Sequence, residues 1–184
     1  MRVTAILKTQ RLDLRPLTDS DYPAYKRLVT NPVIAQPVGF SPHPDDRQVR
    51  RWYRADRNSA RSYAIILHQT NQFIGAVIFY DWFADNGLPD ETSLELGYFL
   101  DPEYWGQGLM PEALMACFKD LKRAESPVES VWANCLVSND RSCQLLEKLC
   151  FQTIGDQLMG VTGGGQTLQR QALFRLNLND SQNN

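Results

Sequence analysis

Between Leu94 and Leu121 the hydrophobic period changes once, from two residues to three or four, across a loop that holds two glycines. Leu94, Leu96, Tyr98 and Leu100 alternate with Glu95, Gly97 and Phe99, which is the pattern of a strand with one face in a core. Asp101-Pro102 stops that strand, because proline has no N–H to give to a ladder. Beyond Gly106-Gln107-Gly108 the apolar residues Met110, Ala113, Leu114, Cys117, Phe118 and Leu121 fall on one face of a helix. Pro111 suits the first turn, where its missing N–H costs nothing. Lys119, Lys122 and Arg123 lie where cations oppose the negative pole of the helix dipole. This strand, tight loop and helix are part of an order of elements, given below, that implies an α/β sandwich with a mixed sheet.

A helix that opens directly from a Gly-x-Gly loop turns free N–H groups outward at its positive end, which is a site for an anion. A junction that only packs is the competing reading. A Walker-type loop is excluded because no Gly-Lys-Ser/Thr follows, and a dinucleotide fingerprint because Pro111 stands where the third glycine belongs. What remains is a cradle for a diphosphate with neither a reaching lysine nor an evident magnesium ligand, and the pyrophosphate of coenzyme A suits it.

Composition narrows the classes further. The 184 residues, 43% hydrophobic and 22% charged, suit one soluble domain over residues 1–178 with a polar tail over 179–184. A formal charge of −2 argues against direct nucleic-acid readout. No apolar run is long enough for a membrane span, and the first eight residues are too short and too charged for a secretory signal. Cys117, Cys135, Cys143 and Cys150 show no C-x-x-C spacing, so neither a metal site nor a redox motif is expected; they read as small core residues in a reducing cytoplasm.

In chain order, Arg11–Pro16 is a first strand and Thr18 or Asp19 caps a helix through Tyr22, Tyr25, Leu28 and Val29. Pro32, Pro37, Pro42 and Pro44 stiffen an irregular connection, either a substrate wall or a plain link. Asp45 or Asp46 caps a second helix, with Arg47, Arg50, Arg54, Arg57 and Arg61 along one face. That stripe reads as a solvated face or as a contact for an acidic partner, such as ribosomal RNA or the 3′-phosphate of coenzyme A. A hairpin turns at Thr70-Asn71-Gln72 between Tyr63–Gln69 and Phe73–Tyr80, and a loop over 85–90 leads into the organising strand. Val128–Val137 is a strand, Asp140–Leu149 a helix, and Phe151–Leu158 and Thr167–Leu178 are strands around a glycine tip at 160–165. The order is strand, two helices, three strands, helix, strand, helix, two strands.

A second informative stretch runs from Asn134 to Phe151. Asn139 ends a strand and caps the next helix. Ser142 shares a face with Leu145, Leu146 and Leu149, so its hydroxyl turns toward the packed side and needs a partner, in its own first turn or elsewhere.

These two stretches resemble the GNAT N-acetyltransferases, most closely the branch that acetylates N-terminal amines of ribosomal proteins. The family loop is usually Arg/Gln-x-x-Gly-x-Gly/Ala; here it is Trp105-Gly106-Gln107-Gly108-Leu109-Met110, with Trp105 and Met110 as departures. Asn139-Asp140-Arg141-Ser142 is similar to the family's Asn-x-x-Ser/Ala, with Leu146 where many relatives have tyrosine and Cys150 in place of the glycine before Phe151. The resemblance implies a mixed, mostly antiparallel sheet flanked by helices, and acetyl-CoA as co-substrate with no metal. It implies coenzyme contacts from Tyr98, Phe99, Leu100, Trp105, Gly106, Gln107, Gly108, Leu109 and Met110, a hold on the pantetheine arm by Asn139, and Ser142 facing the sulfur. It also implies a splay of the neighbouring strand that frees amides near Tyr98–Leu100 for an oxyanion.

Transfer of acetyl to an amine requires a neutral amine, and an N-terminus with a pKa near ~8 needs less help than a lysine near ~10.4. Glu95 is the candidate base, with Asp81 and Glu91 as rivals and a plain solvent-facing carboxylate as the alternative. Ser142 would stabilise the departing thiolate. Direct attack is expected, since neither His43 nor His68 lies near Cys143 in sequence. The expected acceptor is a primary amine, for which the resemblance implies the N-terminus of a ribosomal or other protein. A polyamine, amino acid or antibiotic is the alternative, and a non-catalytic acyl-CoA-binding module is a third reading. Oligomeric state, including a homodimer, is left open.

Overall fold

The computed structural model describes residues 6–38, 44–84, 86–124, 128–160 and 168–180. In chain order it contains strands β1 (Leu7–Lys8) and β2 (Leu12–Arg15) and helices α1 (Tyr22–Val29), α2 (Pro32–Ala35) and α3 (Asp46–Asn58). Strands β3 (Arg61–Leu67), β4 (Gln72–Phe83) and β5 (Pro89–Leu100) precede helix α4 (Leu109–Lys122). Strand β6 (Ser130–Leu136), helix α5 (Asp140–Lys148) and strands β7 (Gln152–Gly160) and β8 (Leu168–Asn177) complete the order. The strands form one eight-stranded sheet in the order β1-β2-β3-β4-β5-β6-β8-β7, antiparallel except for the parallel pair β5–β6. The expected α/β architecture with a mixed, mostly antiparallel sheet is therefore the one observed.

Why β3 and β4 occupy the middle is visible in their sequences. Ser62–Ile66 and Phe73–Phe79 are buried without interruption, the pattern of strands covered on both faces. On one face α4 sets Ala113, Leu114, Cys117, Phe118 and Leu121 against Tyr63, Phe79, Leu94 and Leu96. On the other face α1 and α3 contribute Tyr25, Leu28, Val49 and Tyr53 against Ala64, Ala76 and Ile78. The alternation read in β5 is the same division: its leucines join the first cluster, and Phe99 joins the second.

The parallel seam positions the site. It holds only Ser93↔Ser130, Leu94↔Val131 and Glu95↔Trp132. Past Glu95, β5 continues to Leu100 on its β4 side alone, while β6 continues to Leu136 paired with β8. A wedge opens between them.

Several expectations change. The two-residue β1 carries no periodic signal and was not anticipated; it exists because it pairs with β2. Part of the proline-rich connection is helical: Asn31 accepts from the Val33 N–H and Pro32 takes the first helical position. Residues 39–43, including Pro42 and His43, and the tip at 161–167 lie outside the described residues, as do 1–5 and 181–184. Arg61 opens β3 rather than ending the arginine helix, and pairs with Asp120 of α4 at 2.8 Å. Arg50 and Arg57 of the stripe pair with Asp46 and Asp19, whereas Arg47 and Arg54 face solvent. Cys150 is exposed, not a core residue. No described helix is long and apolar enough to cross a membrane.

Candidate active site

The loop between β5 and α4 is built by three local devices. Asp101 accepts from the Glu103 N–H at 3.2 Å and starts a single 3-10 turn, and Trp105 Nε1 donates to the Leu100 carbonyl at 2.8 Å. Gly106 and Gly108 then take φ of 74° and 75°, a region that side chains with a Cβ avoid. The loop is also clamped from the distant β1–β2 turn. Arg11 donates through Nη1 to the Gln107 carbonyl at 2.8 Å and through Nε to Glu112 at 2.7 Å, and Thr9 donates to Glu112 at 2.5 Å. Burial pushes the Glu112 carboxyl up, but the bonds from Thr9 and Arg11 outweigh it and hold the group below its ordinary range.

Trp105 spends its N–H on the Pro102 carbonyl at 3.2 Å, so it is not part of the cradle's donor row. The N–H groups of Gly106, Gln107, Gly108, Leu109 and Met110 have no partner among the described residues. They stand at the positive end of a fourteen-residue helix. A cavity of about 630 Å³ opens beside them. It is lined by Tyr98, Phe99, Leu100, Trp105, Gly106, Gly108, Leu109, Met110 and Asn139 of the expected set, and by Ser142. Gln107 is absent from the lining; its carbonyl is held by Arg11 and its side chain donates to the Glu103 carbonyl. Val33, Ile34 and Pro37 line the same cavity, which makes the proline-rich connection one of its walls.

Among the described residues two cations border this cavity, Arg141 and Lys148, and no carboxylate does. The Arg141 guanidinium sits over the Trp105 ring, 3.7 Å from its centroid. The tryptophan that departs from the usual loop pattern thus holds an arginine delivered from α5. Sequence reasoning missed this arginine because the partners are separated by a helix and a strand.

A second cavity, about 380 Å³, lies across the wedge, and Pro37, Tyr98, Phe99, Asn139 and Ser142 line both. At this junction the Ser142 hydroxyl and the Tyr98 hydroxyl are 2.6 Å apart. Ser142 therefore finds its partner across the wedge and not in its own first turn. Burial pushes the Tyr98 phenol up against the smaller pull of Ser142, so it stays protonated and acts only through hydrogen bonds. Asn139 is committed on both sides of its amide: Oδ1 accepts from the Ser142 N–H at 3.2 Å, and Nδ2 donates to the Pro37 carbonyl at 3.3 Å.

Glu95 lines the second cavity and accepts from Asn134 Nδ2 at 2.9 Å. Its rivals Asp81 and Glu91 are exposed and line neither cavity. Asp56 of α3 also lines this cavity, and was missed. The signal was present: Val49, Tyr53 and Asp56 fall on one helix face, and an acid on an apolar face is informative. Asp56 receives the Tyr25 hydroxyl at 2.5 Å and the Tyr80 hydroxyl at 2.6 Å. Burial raises its pKa, and the two phenol bonds pull the other way. Gly97 lets the Tyr80 ring lie close to β5, since a Cβ there would meet Tyr80 Cε2 at 3.1 Å. No thiol is set up to attack: Cys143 lines neither cavity, and burial pushes Cys135 up to about 12.

Comparisons with known proteins bear on the family and the fold. A family model described as an acetyltransferase (GNAT) domain matches residues 11–152. The uncharacterized N-acetyltransferase p20 of Bacillus licheniformis is 27% identical over 160 residues, spanning 81% of this chain and 83% of that protein. A GNAT-family acetyltransferase structure from Bacillus anthracis superposes with a TM-score of 0.78 at 18% identity, covering 96% of this chain and 100% of that one. An acetyl transferase from Salmonella typhimurium, which modifies the N-terminal serine of a 50S ribosomal-subunit protein, superposes with a TM-score of 0.76 at 20% identity, covering 94% and 99%.

Proposed function

The chain belongs to the GNAT acetyltransferases, and on that basis we propose that it moves the acetyl group of acetyl-CoA to a primary amine by direct attack inside the wedge between β5 and β6. The observation that carries this reading is the meeting of two cavities of opposite character at Ser142 and Tyr98. One has free N–H donors, Arg141 and Lys148; the other has Glu95 and Asp56. An anionic coenzyme and a cationic amine would enter from opposite sides.

The residues divide the work accordingly. The N–H groups from Gly106 to Met110 bind the diphosphate, with Arg141, held by Trp105, adding positive charge at the rim. The wedge leaves the cleft edge of β5 from Leu96 to Leu100 without a partner strand, so main-chain N–H groups there can stabilise the charge that develops on the acetyl oxygen. Glu95, oriented by Asn134, takes the proton from the attacking amine. Ser142, with Tyr98 behind it, donates to the departing sulfur. Bound acetyl-CoA supplies the activated acetyl group. Residues 1–178 are taken as the catalytic domain, 179–184 as its tail, and the cytoplasm as the setting.

The leading acceptor is the N-terminal α-amine of a ribosomal or other protein, supported by the similarity to the Salmonella typhimurium enzyme. A small-molecule amine is a second reading, favoured by the modest size of the acid-lined cavity, about 380 Å³. Thiol release from acetyl-CoA, measured with peptides bearing free N-termini and with small amines, tests the proposal. Release that depends on an added amine is expected; no release with any amine overturns it.

A further inference from the structure

The smaller cavity holds two carboxylates, Asp56 and Glu95, and among the described residues no lysine, arginine or histidine lines it. Asp56 keeps only 8% of its surface exposed. Its described partners are two neutral phenols, from Tyr25 and Tyr80, so it has hydrogen bonds but no counter-charge. A buried carboxylate in this state is costly unless a cation arrives. Asn134 donates to Glu95 through Nδ2, yet its Oδ1 is shut from solvent without a hydrogen-bond partner among the described residues. The wall thus carries two carboxylates and, among the described residues, no cationic side chain. The larger cavity beside it has the reverse composition.

In the proposed reaction Glu95 serves the reacting amine, which must be neutral to attack. Asp56 is then left over. We infer that Asp56 is a specificity-determining residue that pairs with a second positive charge on the acceptor, so that the preferred substrate is a primary amine bearing another cationic group and no carboxylate. A free amino acid would place its carboxylate among Asp56 and Glu95 with no cation to receive it, and is disfavoured. The chemistry fits two sources, a short diamine or polyamine and a protein N-terminus that begins with a basic side chain. This inference rests on the proposed acetyl transfer and adds to it the charge of the acceptor.

The test compares kcat/KM for matched acceptors by thiol release. The acceptors are 1,4-diaminobutane against butylamine, and a peptide beginning with lysine against the same peptide beginning with serine. In the wild-type protein the dication of at least one pair is expected to be favoured by at least about tenfold, the size of effect seen when a buried charge gains its partner. Preference within the first pair identifies a small molecule as the source, and preference within the second identifies a protein. Asp56→Asn, which keeps the side-chain shape, should bring the favoured ratio close to one, while Asp56→Glu, which keeps a carboxylate, should retain a preference for the dication. Acetyl-CoA affinity, measured calorimetrically, reports whether each variant is folded. A wild-type ratio near one in both pairs overturns the inference even if Asp56→Asn does not fold. A ratio that survives Asp56→Asn also overturns it. Absence of thiol release with every amine is a different failure, and counts against the acetyl transfer itself.

Discussion

Gly108 allows the anion cradle to be separated from mere folding. It caps α4 with φ 75° and ψ 10°, and a Cβ built on it meets only Arg11 Nη2, at 3.6 Å. That is ordinary contact, so the protein itself has room for a side chain, and the internal cost of substitution is backbone strain. For alanine this strain is about 1–2 kcal/mol, partly offset because the unfolded glycine chain is the more flexible one. Asparagine tolerates the left-handed region and should lose less than about 1 kcal/mol, a Tm decrease of about 2–4 °C at most for a chain of this size. Coenzyme binding should not follow that ranking. Any side chain at Gly108 stands in the row of free N–H groups, and one or two charge-assisted bonds at about 1.5–3 kcal/mol each correspond to at least a tenfold rise in Kd. Calorimetric unfolding and acetyl-CoA titration of Gly108→Asn, Gly108→Ala and Gly108→Val provide both readouts. The expected outcome is that Gly108→Asn keeps most of its stability and loses affinity, with Gly108→Val losing both. Wild-type affinity in a folded Gly108→Val would refute the cradle.

Other outcomes are equally direct. Glu95→Gln and Ser142→Ala should each lower kcat, Glu95→Gln by about 100-fold or more if it is the base, while the acetyl-CoA Kd stays near the wild-type value; unchanged turnover removes the residue from the mechanism. Cys150 stands at φ 64° just after α5, where Phe151 and Cys150 donate back to the Leu146 and Glu147 carbonyls. Cys150→Gly should therefore raise stability by about 0.5–1 kcal/mol, after allowing for glycine's extra freedom in the unfolded chain; a lower Tm would contradict the strain argument. Glu112 is held below its ordinary value of 4.5, so its contribution is full above that pH and is lost as pH falls through the lower folded value. The acid limb of Tm against pH should accordingly be shallower in Glu112→Gln, and an identical limb would show that the clamp is not linked to protons.

What was legible in the sequence depended on range. The strand–loop–helix core, the helix after Asn139 and the order of elements follow from local period, caps and breakers, and they appear nearly where expected. Short elements were not legible: β1 has two residues, and the helical turn at Pro32 is too brief to show a period. Cross-element pairs were also hidden. Arg61 reads as one more helix arginine until Asp120 is seen beside it, and Trp105 reads as a flaw in a motif until Arg141 covers its ring. Asp56 is masked in the sequence by the arginines around it, which give its helix the look of a solvated face, although its place among Val49 and Tyr53 is readable.

The brevity of the parallel seam has a mechanical consequence. Three paired positions, with the Asn134–Glu95 and Tyr98–Ser142 hydrogen bonds beside them, join two halves of one sheet, β1 to β5 on one side and β6, β8 and β7 on the other. Glu95 rides on the first half, whereas Ser142 follows the second through the turn that leaves β6. The distance between the groups proposed for proton removal and for sulfur release is therefore set by how this one junction is held.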